Sequence, residues 1–139
     1  MEKQNKVLNI KIDTKTALPT YEQIKQALKF AILSGRLEEG DQLTSLRELA
    51  LKLKVNPNTI IKVYYQLEVE GYIYSRPGAG YFVKLDHQKI PKDKCTLFKD
   101  MTKEYVFKAH QLGYEIDEIH KQISEAFPEI VTKKTNKDK

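Results

Sequence analysis

The most constraining stretch of this 139-residue chain is the tetrad Val55, Asn56, Pro57, Asn58. Proline has no backbone N–H and its ring disfavours a helical residue before it, so no helix runs smoothly into Pro57 from the N-terminal side. As the first residue of a new helix it wastes no donor, and Asn56 ahead of it is a good N-cap. Apolar residues recur at helical spacing on both sides. Leu46, Leu49, Ala50 and Leu53 form one stripe, and Ile60, Val63, Tyr64 and Leu67 form the other. Ser45 with Glu48 three residues on has the pattern of a capping box, and Gly71 marks the end of the second stripe. Two amphipathic helices, about Ser45 to Lys54 and Pro57 to about Glu70, are thus joined by a tight turn.

The flanking segments extend this pair. Val7 to Asp13 alternates, with Leu8, Ile10 and Ile12 on one face, which predicts a short half-buried strand. Pro19 and Thr20 open a helix running to about Ser34, with Tyr21, Ile24, Ala27, Leu28, Ala31 and Ile32 as its apolar stripe, and Gly35 stops it. Tyr72 to Tyr74 and Tyr81 to Leu85 read as two short strands around the loop Ser75 to Gly80. Three helices followed by a hairpin describe a winged helix-turn-helix over residues 1–85. Residues 86–95 are polar and hold Pro91, which reads as a linker. Helical periodicity returns over 96–127, with Phe98, Met101, Tyr105, Ala109 and Leu112 on one helix. Ile116, Ile119, Ile123 and Phe127 lie on a second, after Gly113 and Tyr114. Residues 128–139 have the composition of a disordered tail. The expected fold is mainly α with a small β-hairpin, a winged helix-turn-helix followed by a two-helix arm.

Composition narrows the chemistry. The formal charge is +5, of which residues 1–84 carry +4, so a polyanion partner is expected at the N-terminal part. No apolar run approaches the ~20 residues of a membrane span, and one cysteine, Cys95, fits a reducing cytoplasm. That cysteine and the scattered His87, His110 and His120 offer no zinc-site spacing. With no nucleophile–base pair and no phosphate loop either, neither an enzyme nor a cofactor is expected.

In a helix-turn-helix the N-terminal end of the recognition helix enters the major groove of double-stranded DNA. Here that end carries Asn56, Asn58 and Thr59, with Lys62 one turn on and Lys52 and Lys54 on the preceding helix. Asn56 stands either as a cap or as a base reader. The helix N-terminus is expected to add free N–H groups and partial positive charge that suit a phosphate. The hairpin tip offers Arg76 beside Gly78 and Gly80, where the backbone can approach DNA closely. Tyr64, Tyr65 and Tyr72 fit core or interface positions better than stacking platforms.

At these residues the chain resembles the DNA-binding domain of GntR-family bacterial transcription regulators. The blocks occur in order: P-x-Y-x-Q-I from Pro19 to Ile24, G-x-L-x-x-G-D-x-L from Gly35 to Leu43, and S-x-R-E-L-A from Ser45 to Ala50. V-N-P-N-T follows from Val55 to Thr59, L-E-x-E-G from Leu67 to Gly71, and G-x-G-x-F-V from Gly78 to Val83. The resemblance implies that Ser45 and Arg47 belong to a DNA-reaching block, and that Asn56, Asn58, Thr59 and Lys62 form the reading end. It also implies that Gly78 to Gly80 enter a minor groove. Thr44 replaces the usual proline, and Ala79 and Tyr81 replace a basic residue and a threonine of the wing, which implies weaker wing contacts.

The short region after the hairpin is similar to that of the YtrA-like subfamily, through Ala109, Leu112 and Gly113 followed by Asp117, Glu118 and Ile119. That similarity implies a dimeric repressor of an ABC-type transporter operon and of its own gene. The residues alone support the dimer independently. A two-helix arm cannot cover its own stripes, and a second copy both buries them and supplies the symmetry a palindromic operator needs. Phe98, Met101, Tyr105, Leu112, Ile116, Ile119 and Ile123 are the expected interface. The arm is too short for a conventional effector domain, so a small-molecule effector stays unidentified. The competing function is a nucleoid-associated or protein-interaction adaptor of the same fold with little operator specificity.

Overall fold

The computed structural model describes residues 9–137. Seven elements follow in chain order: α1 (Thr20–Leu33), α2 (Leu46–Leu53), α3 (Pro57–Val69), β1 (Ile73–Arg76), β2 (Gly80–Val83), α4 (Lys89–Gln111) and α5 (Ile116–Lys137). They fall into two compact units, Met1–Lys94 and Cys95–Lys139.

The first unit is organised around α3. Its stripe Ile60, Val63, Tyr64 and Leu67 is buried, and the helix packs on α1, α2 and β1. From α1 come Ile24, Leu28 and Ile32, all buried. The Tyr64 hydroxyl donates to the Thr44 carbonyl at 2.6 Å, so the one polar atom of this ring is satisfied inside the core. Burial pushes that hydroxyl's pKa well above the usual tyrosine value. Its ring meets Tyr81 of β2 edge-on, centroids 5.0 Å apart.

The turn before α3 depends on Lys54. It caps α2 in the left-handed region, φ 56 and ψ 46, the single non-glycine residue with positive φ among those described. The Val55 amide then reaches back to the Ala50 carbonyl at 3.0 Å, closing the helix end.

Strands β1 and β2 are antiparallel, pairing Ile73 with Val83 and Arg76 with Gly80. The hairpin is therefore tighter than the expected six-residue loop, because Ser75, Arg76 and Gly80 belong to the ladder. Only Pro77, Gly78 and Ala79 turn, helped by Gly78 at φ 76. The expected strand at Val7–Asp13 is not borne out over its described part. Asn9 to Asp13 pair with no strand, and Val7 and Leu8 lie outside the described residues. The Gln23 side chain takes the place of a neighbouring strand, accepting from the Asp13 amide at 2.8 Å and donating to the Asp13 carbonyl at 2.9 Å.

Two further expectations are corrected. The stretch read as a linker, 86–95, is largely the beginning of α4. Asp86 caps it, accepting from the Gln88 and Lys89 amides at 2.9 and 3.2 Å. Pro91 is the third helical residue, where no intrahelical donor is required. Lys89 and Asp93 then fasten this first turn to the end of α3 and the start of β1. Lys89 Nζ donates to the Glu70 carbonyl and lies 4.3 Å from the Tyr72 ring centroid, and the Tyr72 hydroxyl donates to Asp93. Nearby, Lys25 pairs with Glu70 at 2.5 Å. The other correction is the tail: α5 continues through Pro128 to Lys137 rather than giving way to a tail after Phe127. A proline removes one backbone bond, and the residues beyond it continue the helix, with the Thr132 hydroxyl bonding the Pro128 carbonyl at 2.8 Å.

In the second unit α4, ending at Gln111, is closed by Gly113, φ 96, beyond which the Tyr114 amide returns to the Ala109 carbonyl at 3.1 Å. Ala109 and Ile119 are its buried apolar residues. Around them lies an open groove of about 600 Å³, walled by Tyr105, Leu112 and Tyr114 among others. Most other large apolar side chains of this unit, Phe98, Met101, Leu112, Ile116 and Ile123 among them, are exposed.

Two outcomes test these backbone devices. Lys54→Gly should raise stability by about 0.5–1 kcal/mol, since glycine relieves the left-handed strain at some entropic cost; urea denaturation followed by circular dichroism reads it. The Asp86 carboxyl is held below its usual range, first by the Gln88 amide and then by the Lys89 amide. Its capping contribution is thus complete at neutral pH and fades as pH falls through that lowered value. Asp86→Ala should speed hydrogen exchange in the first turn of α4 at neutral pH while leaving the middle of α4 unchanged.

Candidate nucleic-acid interface

Two helix N-termini meet on one shallow surface depression of about 350 Å³ in the first unit. It is lined by Thr20 and Tyr21 of α1 and by Asn56, Asn58, Thr59 and Lys62 at the start of α3. Four residues singled out from sequence are thereby brought together. Tyr21 is the residue that sequence reasoning placed in a hydrophobic stripe and missed as part of the site. Its ring lies 3.6 Å beneath Lys62 Nζ, so the lysine is drawn toward the start of α1 by a cation–π contact.

Asn56 is a cap in this structure. Its Oδ1 accepts from the Asn58 amide at 2.8 Å, and its carbonyl accepts from the Thr59 amide at 2.9 Å. Pro57 has no N–H to offer, so the first amides of α3 are absent or already bonded. The expectation of free N–H groups there is corrected: that end presents side chains and helix dipole. What Asn56 retains is its amide NH2, a donor. The start of α1 differs, because Pro19 precedes it and no side chain caps it.

The other sequence candidates lie outside this depression. Ser45 is the N-cap of α2, its hydroxyl accepting from the Glu48 amide at 3.2 Å. Arg47 is exposed on the first turn of the same helix, as is Lys52 further along. On the hairpin, Arg76 is exposed at the end of β1 with its guanidinium 5.2 Å from the Phe82 ring centroid.

The two wing glycines are not equivalent. A Cβ on Gly78 would meet nothing within 4 Å, whereas one on Gly80 would lie 3.1 Å from Gln42 Nε2. That same nitrogen donates to the Ala79 carbonyl at 2.8 Å. Gln42 therefore props the wing tip from behind, a role hidden in sequence because it occupies the variable position of its block. Gly80 gives room to that prop, and Gly78 is the open point of the wing.

On the arm, six of the seven expected interface residues are exposed: Phe98, Met101, Tyr105, Leu112, Ile116 and Ile123. Ile119 differs, being 5% exposed within the single chain. No helix among the described residues is long and apolar enough to cross a membrane. No cluster of potential metal ligands occurs among them either.

The family described as bacterial regulatory proteins, gntR family, matches residues 20–83, from the start of α1 to the end of β2. The HTH-type transcriptional repressor YtrA of Bacillus subtilis is 36% identical over 128 residues, covering 91% of this chain and 98% of that protein. A GntR family transcriptional regulator from Listeria monocytogenes superposes with a TM-score of 0.69 at 32% identity, covering 82% of this chain and 98% of that one. The AraR DNA-binding domain in complex with operator ORX1 superposes with a TM-score of 0.50 at 28% identity, over 55% of this chain and 96% of that one. These relatives are regulators rather than enzymes. The chain is a winged-helix transcription regulator of the GntR family, homologous to YtrA along most of its length.

Proposed function

We propose that the chain is a dimeric, operator-specific repressor of an ABC-type transporter operon and of its own gene, acting in the cytoplasm. The observation that carries the operator reading is the shared depression at the starts of α1 and α3. There Asn58, Thr59 and the Asn56 amide NH2 stand beside Lys62 and the uncapped first turn of α1. Base edges are met by the short polar side chains of α3, and a phosphate by Lys62 and the α1 amides. Arg47 and Ser45 flank them from α2, and Arg76, Gly78 and Gly80 bring the wing to the neighbouring minor groove.

Dimerisation rests on the arm. Its exposed Phe98, Met101, Tyr105, Leu112, Ile116 and Ile123 gain cover from a second copy, and Ile119 serves by holding the arm's own groove in shape. Operator palindromy then follows from the two-fold axis. The adaptor reading predicts a different result: affinity for any duplex, with no enrichment of one sequence.

Arg47→Ala and Asn58→Ala should each weaken binding of the enriched duplex by about 1–3 kcal/mol, with unchanged circular dichroism. Titration of labelled DNA at fixed salt measures this, and equal affinity in both variants would remove the reading surface. For the arm, Met101→Asp and Leu112→Asp should each shift the protein to monomer in sedimentation, because a second copy would bury an unpaired carboxylate. Operator affinity should fall with it as the two half-sites lose their link. Dimers of undiminished stability in both variants would move the interface elsewhere.

A further inference from the structure

The outward face of α3 is not polar throughout. Ile61, one turn beyond Pro57 and Asn58, is 49% exposed, and Tyr65 one turn further is 67% exposed. Both lie away from the buried stripe Ile60, Val63, Tyr64 and Leu67. A β-branched aliphatic side chain on the solvent side of a helix has no hydrogen-bonding role and a lower helix propensity than Lys, Arg or Gln. Ile61 therefore presents an apolar surface that a partner outside the chain can cover.

Its surroundings say which. Ile61 follows Asn58 by three residues, about 4.5 Å along the helix axis, a distance comparable with the roughly 3.4 Å of one base-pair step. The adjacent Lys62 is turned aside by the Tyr21 ring and points toward the start of α1. The side chain left projecting one turn beyond Asn58, on that flank, is the isoleucine. On its own helix Ile61 lies between the polar Asn58 and the cationic Lys62 of the proposed reading end, with Tyr65 one turn beyond. A partner that covers Ile61 there also meets Asn58 and Lys62, and in the operator reading that partner is the duplex. In the major groove the base edges carry a single apolar group, the C5-methyl of thymine.

We infer that Ile61 reads a thymine methyl, one base step deeper into each half-site than the contact of Asn58. The inference rests on the proposed operator reading and adds a base identity to it. Selectivity at this step comes from burying a methyl group against the isoleucine; cytosine at the same place offers no methyl, and its amino group would face an apolar side chain that cannot pair with it.

The test uses the full chain and the duplex it enriches most from a randomised pool. Each thymine is replaced singly by uracil, which keeps base pairing and the O4 acceptor and removes only the methyl. Wild type should lose roughly fourfold or more in affinity at one thymine per half-site, the scale of one buried methyl. Ile61→Ala should bind the parent duplex more weakly and be indifferent to uracil at that position, while Ile61→Val, which keeps both γ-carbons and loses only the δ-methyl, should retain most of the discrimination. A uracil scan that is flat for wild type overturns the inference, as does the same loss persisting in Ile61→Ala. Failure to enrich any sequence overturns the operator reading itself, a result distinct from a flat scan on an enriched duplex.

Discussion

Everything in the first unit depends on α3 burying one side completely while leaving its first turn at the surface. Ile60, Val63, Tyr64 and Leu67 supply the buried side, against α1, α2 and β1 together. Burial of such side chains stabilises by about 1.5–3 kcal/mol each, so the helix cannot rotate to trade faces. The rotation that satisfies the core also decides which residues look outward. Asn58, Ile61, Lys62 and Tyr65 are exposed because Ile60, Val63, Tyr64 and Leu67 take the buried side. The Tyr64 bond to the Thr44 carbonyl adds a polar lock to the same orientation.

Where the chain follows local rules, the sequence was readable. The limits of α1, α2 and α3, the Asn56 cap, the first-turn proline and the buried stripe of α3 all follow from periodicity and capping. Where a distant group replaces a local signal, it was not. Gln23 satisfies the backbone of Asp13 ten residues away, and Asn9 to Asp13, which alternate like a strand, pair with none. Lys89 and Asp93 look like solvated linker residues until Glu70 and Tyr72 are known to be their partners. The tail beginning at Pro128 reads as non-helical, yet α5 carries that proline in its interior and continues beyond it.

The candidate site was legible as a set of residue types and not as an arrangement. Asn58, Thr59 and Lys62 could be named from α3 alone. The contribution of α1 could not, because Tyr21 belongs to an apolar stripe in sequence and reveals its second role only when Lys62 is found above its ring. The division of labour between Gly78 and Gly80 likewise depends on Gln42, which lies thirty-seven residues from the Ala79 carbonyl it holds. On the arm, periodicity marks Ile119 and Ile123 as equivalent. Only packing within the chain separates a residue already covered from one that is still open.

The fastening of α4 to the winged helix bears on how such heads can be exchanged between regulators. The motif blocks end at Val83, which invites a cut soon afterwards and a new C-terminal module in place of the old. In this chain that cut would strand the Tyr72 hydroxyl and the Glu70 carbonyl, whose partners Asp93 and Lys89 lie on the far side of it. The portable piece ends at Lys94, already more than one turn into a helix. A chimera must therefore join helix to helix, and every residue gained or lost at the seam turns the graft by about 100° around the axis. Modular exchange at this boundary is a matter of angular phase, and grafts differing by one residue should behave as different proteins.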